Sequence, residues 1–288
     1  MTSLVAPAAV AAGTWPASLE LRLAAREGAT RLVRCRHRGP LYVQRAFYPE
    51  GEEHAHLYLL HPPGGVVSGD ALSVSVHCEH GTGALLTTPG AGRVYRARDT
   101  LPEQRQHTRL QVASGAALEW FPLETIVYDG ACVDLLTEVE LEEGARFIAW
   151  DVACLGLPGS AAPFTHGSFC QRYRVVRDGI PLFVDALQID ESNRRELLDG
   201  PAALRGNPVC GLFLAGPFAA PAEDSLWDEL RALAEPGQAA ISRVGDLAVG
   251  RYLGASAERA RRQFSAWWQR LRPLLLGREA CAPRIWLT

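Results

Sequence analysis

Leu72-Ser-Val-Ser-Val-His-Cys78 alternates apolar and polar side chains, Gly81-Thr82-Gly83 follows, and Ala84-Leu-Leu-Thr-Thr88 begins a second extended run. Strands put successive side chains on opposite faces, so a strand with one buried face shows this period of two. The glycines supply the positive φ that a tight connection needs. The same unit returns as His107–Ala113, Ser114-Gly115 and Ala116–Phe121, then as Leu135–Glu142, Glu143-Gly144 and Ala145–Trp150. A fourth copy is Phe169–Val176, Arg177-Asp178-Gly179 and Ile180–Ala186. The turn glycines recur at roughly 30 residues, a period typical of stacked repeats. One copy alone cannot bury its apolar face, whereas stacked copies can. The expected fold is therefore mainly β, a stacked-strand core resembling a β-helix or solenoid, with an ordinary sandwich as the alternative.

The flanks extend this reading. Leu19, Leu21 and Leu23 alternate in the same way. Ahead of them, residues 1–17 are alanine-rich, lack a basic start and are interrupted by Pro7, Gly13 and Pro16, which predicts a loose leader and no signal peptide. Residues 18–288 are expected to form a single domain, β-rich over 18–190 and mixed over 191–288. In the later part Leu226, Leu230 and Leu233 have helical spacing, with acids early and Pro236-Gly237 closing the segment. A strand pair is expected between Ala239 and Leu253. Ser256 then reads as the N-cap of a helix with Ala260, Phe264, Trp267 and Leu271 on one face, stopped by Pro273.

Composition removes whole classes of chemistry. The chain has 288 residues and a formal charge of −3, and all of its 29 basic residues are arginine. Without lysine there is no Schiff base, no pyridoxal-phosphate anchor and no P-loop. The mild acidity offers nucleic acid and anionic lipid no general attraction, and no apolar run approaches the ~20 residues that span a bilayer. Cys35, Cys78, Cys132, Cys154, Cys170, Cys210 and Cys281 show no paired spacing, which fits buried free thiols in a reducing cytoplasm.

No nucleophile elbow and no dinucleotide-binding glycine pattern is present. His54 and His56 would share one face of a strand, but a metal site there needs a ligand from elsewhere. Three segments concentrate turns, polar groups and aromatics: His61-Pro-Pro-Gly-Gly65 through Gly69-Asp70, Thr87 through Arg96, and Glu119 through Gly130. Each lies beside a strand pair, where loops carry function. His61, Asp70, Glu124 and Asp129 make a donor set without thiolate, suited to holding a divalent ion weakly. Thr87, Thr88, Arg93, Tyr95 and Arg96 are expected to shape its surroundings.

These segments resemble the UreD (UreH) family of urease accessory proteins. The resemblance runs from Gly39-Pro-Leu41, Val43-Gln-Arg45 and Tyr48-Pro-Glu-Gly51 through Leu57-Tyr-Leu-Leu-His-Pro-Pro-Gly-Gly65 and Leu85-Leu-Thr-Thr-Pro-Gly90. It continues in Tyr95-Arg96, Leu118-Glu-Trp120, Glu124-Thr-Ile126 and Asp129-Gly130, and resumes at Arg251-Tyr-Leu253, Leu271-Arg-Pro273 and Pro283-Arg-Ile-Trp286. Arg93 stands where the family usually has lysine and Leu123 where glutamine is common. The resemblance implies a non-enzymatic cytoplasmic scaffold that binds apo-urease and UreF and meets the GTPase UreG through UreF. No cofactor is held tightly and nickel is in transit, on a path involving His61, Asp70, Glu124 and Asp129. Trp268, Arg284 and Trp286 are expected at a partner contact or in packing. The competing readings are a β-solenoid carbohydrate-active enzyme using an Asp/Glu acid–base pair and a stand-alone metal-binding module.

Overall fold

The computed structural model describes residues 15–100, 103–219 and 223–287. In chain order, β1 (Trp15–Arg26) and β2 (Ala29–Arg38) form a hairpin, followed by β3 (Tyr42–Val43) and β4 (His54–Leu60). Next come β5 (Asp70–Cys78), β6 (Gly83–Thr87), β7 (Gly92–Val94), β8 (Gln104–Val112), β9 (Ala117–Phe121) and β10 (Thr125–Val127). Then follow β11 (Cys132–Leu141), β12 (Arg146–Leu157), β13 (Ala162–Pro163), β14 (Ser168–Arg177), β15 (Ile180–Ile189) and α1 (Arg194–Asp199). The last third contains β16 (Val209–Gly216), α2 (Asp224–Ala232), β17 (Ala239–Val244), β18 (Leu247–Gly254) and α3 (Ala257–Leu276).

Two sheets result. The first has the order β15-β14-β11-β8-β5-β1-β2, and the second runs β17-β18-β16-β12-β9-β6-β4-β3. β1, β5, β8, β11 and β14 pair parallel, as do β4, β6, β9 and β12, so the chain passes repeatedly from one sheet to the other. Passage from β5, β8 and β11 of the first sheet to the second takes a four-residue corner each time. The amides of Thr82, Ala116 and Ala145 close these corners onto the carbonyls of Glu79, Ala113 and Glu142. Gly81, Gly115 and Gly144 take φ values of 72°, 68° and 80° at the third position, as a type II turn requires.

The fourth copy of the sequence unit behaves differently. β14 and β15 form an antiparallel hairpin within the first sheet. Asp178 and Gly179 have φ of 49° and 81°, two consecutive left-handed residues, which reverse a strand upon its own sheet. The corners have one such residue each and send the chain across. The expectation of a fourth equivalent unit is corrected accordingly.

Three layers follow from side-chain alternation. Leu19, Leu21 and Leu23 of β1 and Val74 and Val76 of β5 face Leu57, Leu86, Leu118 and Phe147 of the second sheet, forming one core. The opposite face of the second sheet, with Leu85, Phe121, Ile148 and Trp150, is covered by Phe264, Trp267, Trp268 and Leu271 of α3. Every residue of β6 is buried for this reason, whereas β1 and β5 alternate. A buried aromatic of tryptophan size removes roughly 150–250 Å² from water, on the order of 4–6 kcal/mol before entropy is counted.

Several expectations shift. Residues 1–14 of the leader lie outside the described residues, and β1 already begins at Trp15, whose amide donates to the Gly69 carbonyl at 2.8 Å. α3 runs through Pro273 to Leu276, because Leu275 is still buried and Gly277 ends the helix with φ 66°. Leu233 lies beyond α2 and is exposed, and Trp227 takes its place in the apolar face. All seven cysteines are free, but only Cys78 and Cys154 are buried. β16, β17 and β18 continue the second sheet, and the three α-helices all fall after residue 190. Among the described residues no helix is long and apolar enough to cross a membrane.

Candidate functional site

Passage back from the second sheet to the first uses irregular connections after β4, β7 and β10, at the end opposite the glycine corners. These are the segments dense in polar groups. They stack on one another through main-chain bonds: Val66 N to Arg93 O at 2.7 Å, Tyr95 N to Val66 O at 3.0 Å and Tyr128 N to Val94 O at 2.9 Å. Between them lies a cleft of about 1210 Å³ lined by His61, Asp70, Tyr95, Arg96, Tyr128 and Asp129, among others. The Tyr95 and Tyr128 rings lie 5.2 Å apart on its wall. Gly65 packs beneath Tyr95, where a Cβ would collide with the ring. A second cavity of about 310 Å³ shares His61 and adds Thr88, Arg93 and Leu123. His61 therefore borders both spaces.

The carboxylates of the cleft differ in what they have left to offer. Asp70 Oδ2 accepts from Val67 N at 2.8 Å and tightens its own turn. Asp129 Oδ1 accepts from Thr165 N at 2.7 Å, Thr165 Oγ1 at 2.9 Å and His166 N at 2.8 Å, while Oδ2 meets Arg96 Nη2 at 3.1 Å. Desolvation pushes the Asp129 carboxyl up, but the bonds from Thr165 and His166 prevail and hold it at about 2. Asp129 is thus a clamp for the 165–166 loop with its lone pairs occupied. His61 is half-buried; loss of hydration lowers its pKa and Asp70 partly offsets this, which favours the neutral imidazole that ligates metals.

Glu124 does not join the cleft residues. Its carboxylate approaches Arg261 Nε of α3 at 3.2 Å, off hydrogen-bond geometry, beneath the helical layer. Thr87 faces the same layer and links Phe121 O (2.6 Å) to Trp286 Nε1 (2.8 Å). Trp286 packs against Phe121, Trp150 and Trp268. Trp268 is buried, so of its two expected roles the structure displays packing. Thr88 Oγ1 bridges Gly90 O and Leu123 N, and Arg284 is exposed on the last turn. Of the four residues expected on a nickel path, the structure gathers His61, Asp70 and Asp129 and sets Glu124 apart.

A second constellation was not anticipated. Glu119 and Arg272 are both fully buried, with Arg272 Nε at 3.0 Å and Nη2 at 2.9 Å from the carboxylate. Trp268 Nε1 donates to Glu119 Oε1 at 2.6 Å, and His54 Nε2 lies 3.0 Å from Oε2. Arg272 Nη2 also reaches Glu50 Oε1 at 2.7 Å, as does His56 Nε2 at 2.7 Å. Burial alone would raise both carboxyls; the close approach of His54 and the bonds of Arg272 lower that of Glu119, and the bonds of His56 and Arg272 bring Glu50 to about 2. Asp151 of β12 was missed as well. It lies between the sheets, where desolvation raises it to about 6, with Gln171 beside it opposing the shift. An acid within the apolar series Phe147, Ala149, Ala153 was the available signal.

The family model of the UreD urease accessory protein matches residues 16–287. The chain belongs to the UreD family. A urease accessory protein UreD of Marinomonas sp. is 40% identical over 287 residues, covering 97% of this chain and 92% of the relative. One from Pseudomonas fluorescens is 43% identical over 285 residues, covering 98% and 99%. Another from Marinobacter nauticus is 43% identical over 281 residues, covering 95% and 93%. As a UreD family member the chain is a urease accessory protein, and the crossings that line the cleft lie within the matched residues.

Proposed function

We propose that this chain is a non-catalytic scaffold of urease maturation, joining apo-urease to UreF and, through UreF, to the nickel-carrying GTPase UreG, and that nickel passes along it in transit. One observation carries the transfer reading. The stacked crossings present His61, in its neutral form, and Asp70 to one open cleft without a thiolate. Such a pair is enough to meet Ni²⁺ and too little to retain it. Arg96 and Asp129 fix the cleft wall. The missing lysine fits a chain that leaves nucleotide chemistry to a partner. Kinship supplies the scaffold part, since the matched family is named for an accessory role.

Co-expression of a urease operon containing His61→Ala/Asp70→Ala tests this reading. The expected result is normal recovery of the complex with UreF, with urease carrying several-fold less nickel. Full metallation in that background would exclude the cleft from the route. Loss of UreF binding would instead place these residues at a partner contact.

A further inference from the structure

Glu50, His56 and Cys281 come together where the segment after α3 crosses β4, away from the cleft. A carboxylate oxygen, a ring nitrogen and the thiol sulfur of these residues lie within 4.8 Å of one another. The His56 side chain is wholly buried, and its Nδ1 has no hydrogen-bond partner. Both bonds to Glu50, from His56 Nε2 and from Arg272 Nη2, fall on Oε1.

We propose that Glu50, His56 and Cys281 form a binding site for a borderline divalent transition-metal ion, and that the ion fastens the C-terminal segment to β4. Imidazole, carboxylate and thiolate together favour zinc, cobalt or nickel over magnesium or calcium. Ligands about 2.0–2.3 Å from a tetrahedral ion stand roughly 3.3–3.8 Å from one another. The three donor atoms therefore draw together by about 1 Å, mostly through movement of the Cys281 sulfur. The thiol proton leaves to solvent and the metal takes the sulfur lone pair. Water fills the fourth position. The site does not depend on the nickel route through the cleft, so either proposal can fail alone.

The test titrates the purified full-length chain with Co²⁺, in a Cys35→Ser background that removes the exposed thiol. The expected result is one Co²⁺ per chain, a sulfur-to-cobalt charge-transfer band and proton release on binding. Cys281→Ser, a change in a partly exposed loop, should abolish the band and weaken binding by at least about tenfold. His56→Gln keeps a donor for Glu50 and should also weaken binding; if that buried variant does not fold, Cys281→Ser decides alone. An unaltered band or affinity in Cys281→Ser, or no sulfur band in the parent, would overturn the site. Retention of the band in His61→Ala is expected; one Co²⁺ bound without a sulfur band in the parent, and lost in His61→Ala, would assign the metal to the cleft instead.

Discussion

Asp129 and Glu119 are both carboxylates bonded on all sides, yet they belong to different physical worlds. Asp129 sits at the rim of the cleft and is held by amides and a hydroxyl of one loop, with an arginine in water beside it. Glu119 lies in the interior and is held by a full cation from a helix 153 residues further along the chain. At the rim, main-chain dipoles suffice because solvent screens what they leave. Under α3, only a matched charge with its hydrogen bonds keeps a carboxylate dry. The first arrangement shapes a loop; the second joins a layer to the sheet.

Removing one partner should separate the two cases most clearly. Glu119→Ala leaves buried Arg272 with Glu50 as its remaining carboxylate partner and strips Trp268 Nε1 of its acceptor, and should cost about 3 kcal/mol, read from the urea midpoint. The paired change Glu119→Leu/Arg272→Met should recover part of that loss, because it removes the buried guanidinium together with its main partner, while Glu50 keeps the bond from His56. Acid gives the next largest effect. Glu50 is held at about 2 and Glu119 is lowered, so their contribution is complete above the ordinary glutamate range and lost as pH falls through it toward 2. Tryptophan fluorescence should report this, since Trp268 bonds Glu119 directly. Asp129→Asn should cost about 1–2 kcal/mol and remove the part of the acid dependence that sets in below the ordinary aspartate range. His61→Ala should change stability by less than about 0.5 kcal/mol. Its effect belongs in nickel delivery, measured as metal per urease active site.

The winding was readable because its corners repeat a chemical necessity. Gly81, Gly115 and Gly144 occupy equivalent turns, and apolar residues alternate on either side of them. What misled was reading Asp178-Gly179 as another corner, since the sequence shows a glycine but not how many neighbouring residues take a left-handed conformation. Pro273 shows a similar gap. A proline forbids one helical hydrogen bond, but the burial of Leu275 against the aromatic layer sustains another turn. His61, Asp70 and Asp129 stood in segments marked by composition, and their convergence followed from stacked connections. Glu124 stood in the same segment yet turned under α3, because side chains after a strand alternate in direction. Glu119 and Arg272 were hidden for another reason. Each looks like an ordinary surface charge until tertiary packing brings them together across most of the chain.

The open border of the first sheet has its own consequence. Among the described residues β2 pairs with β1 on one side only, and along it stand Arg34, Arg36 and Arg38, all exposed. A further strand arriving there from another copy of the molecule would bring a second row of guanidinium groups alongside the first. Repulsion between these rows disfavours edge-to-edge growth into filaments, so a protein built from long ladders can be made in quantity without polymerising along its rim.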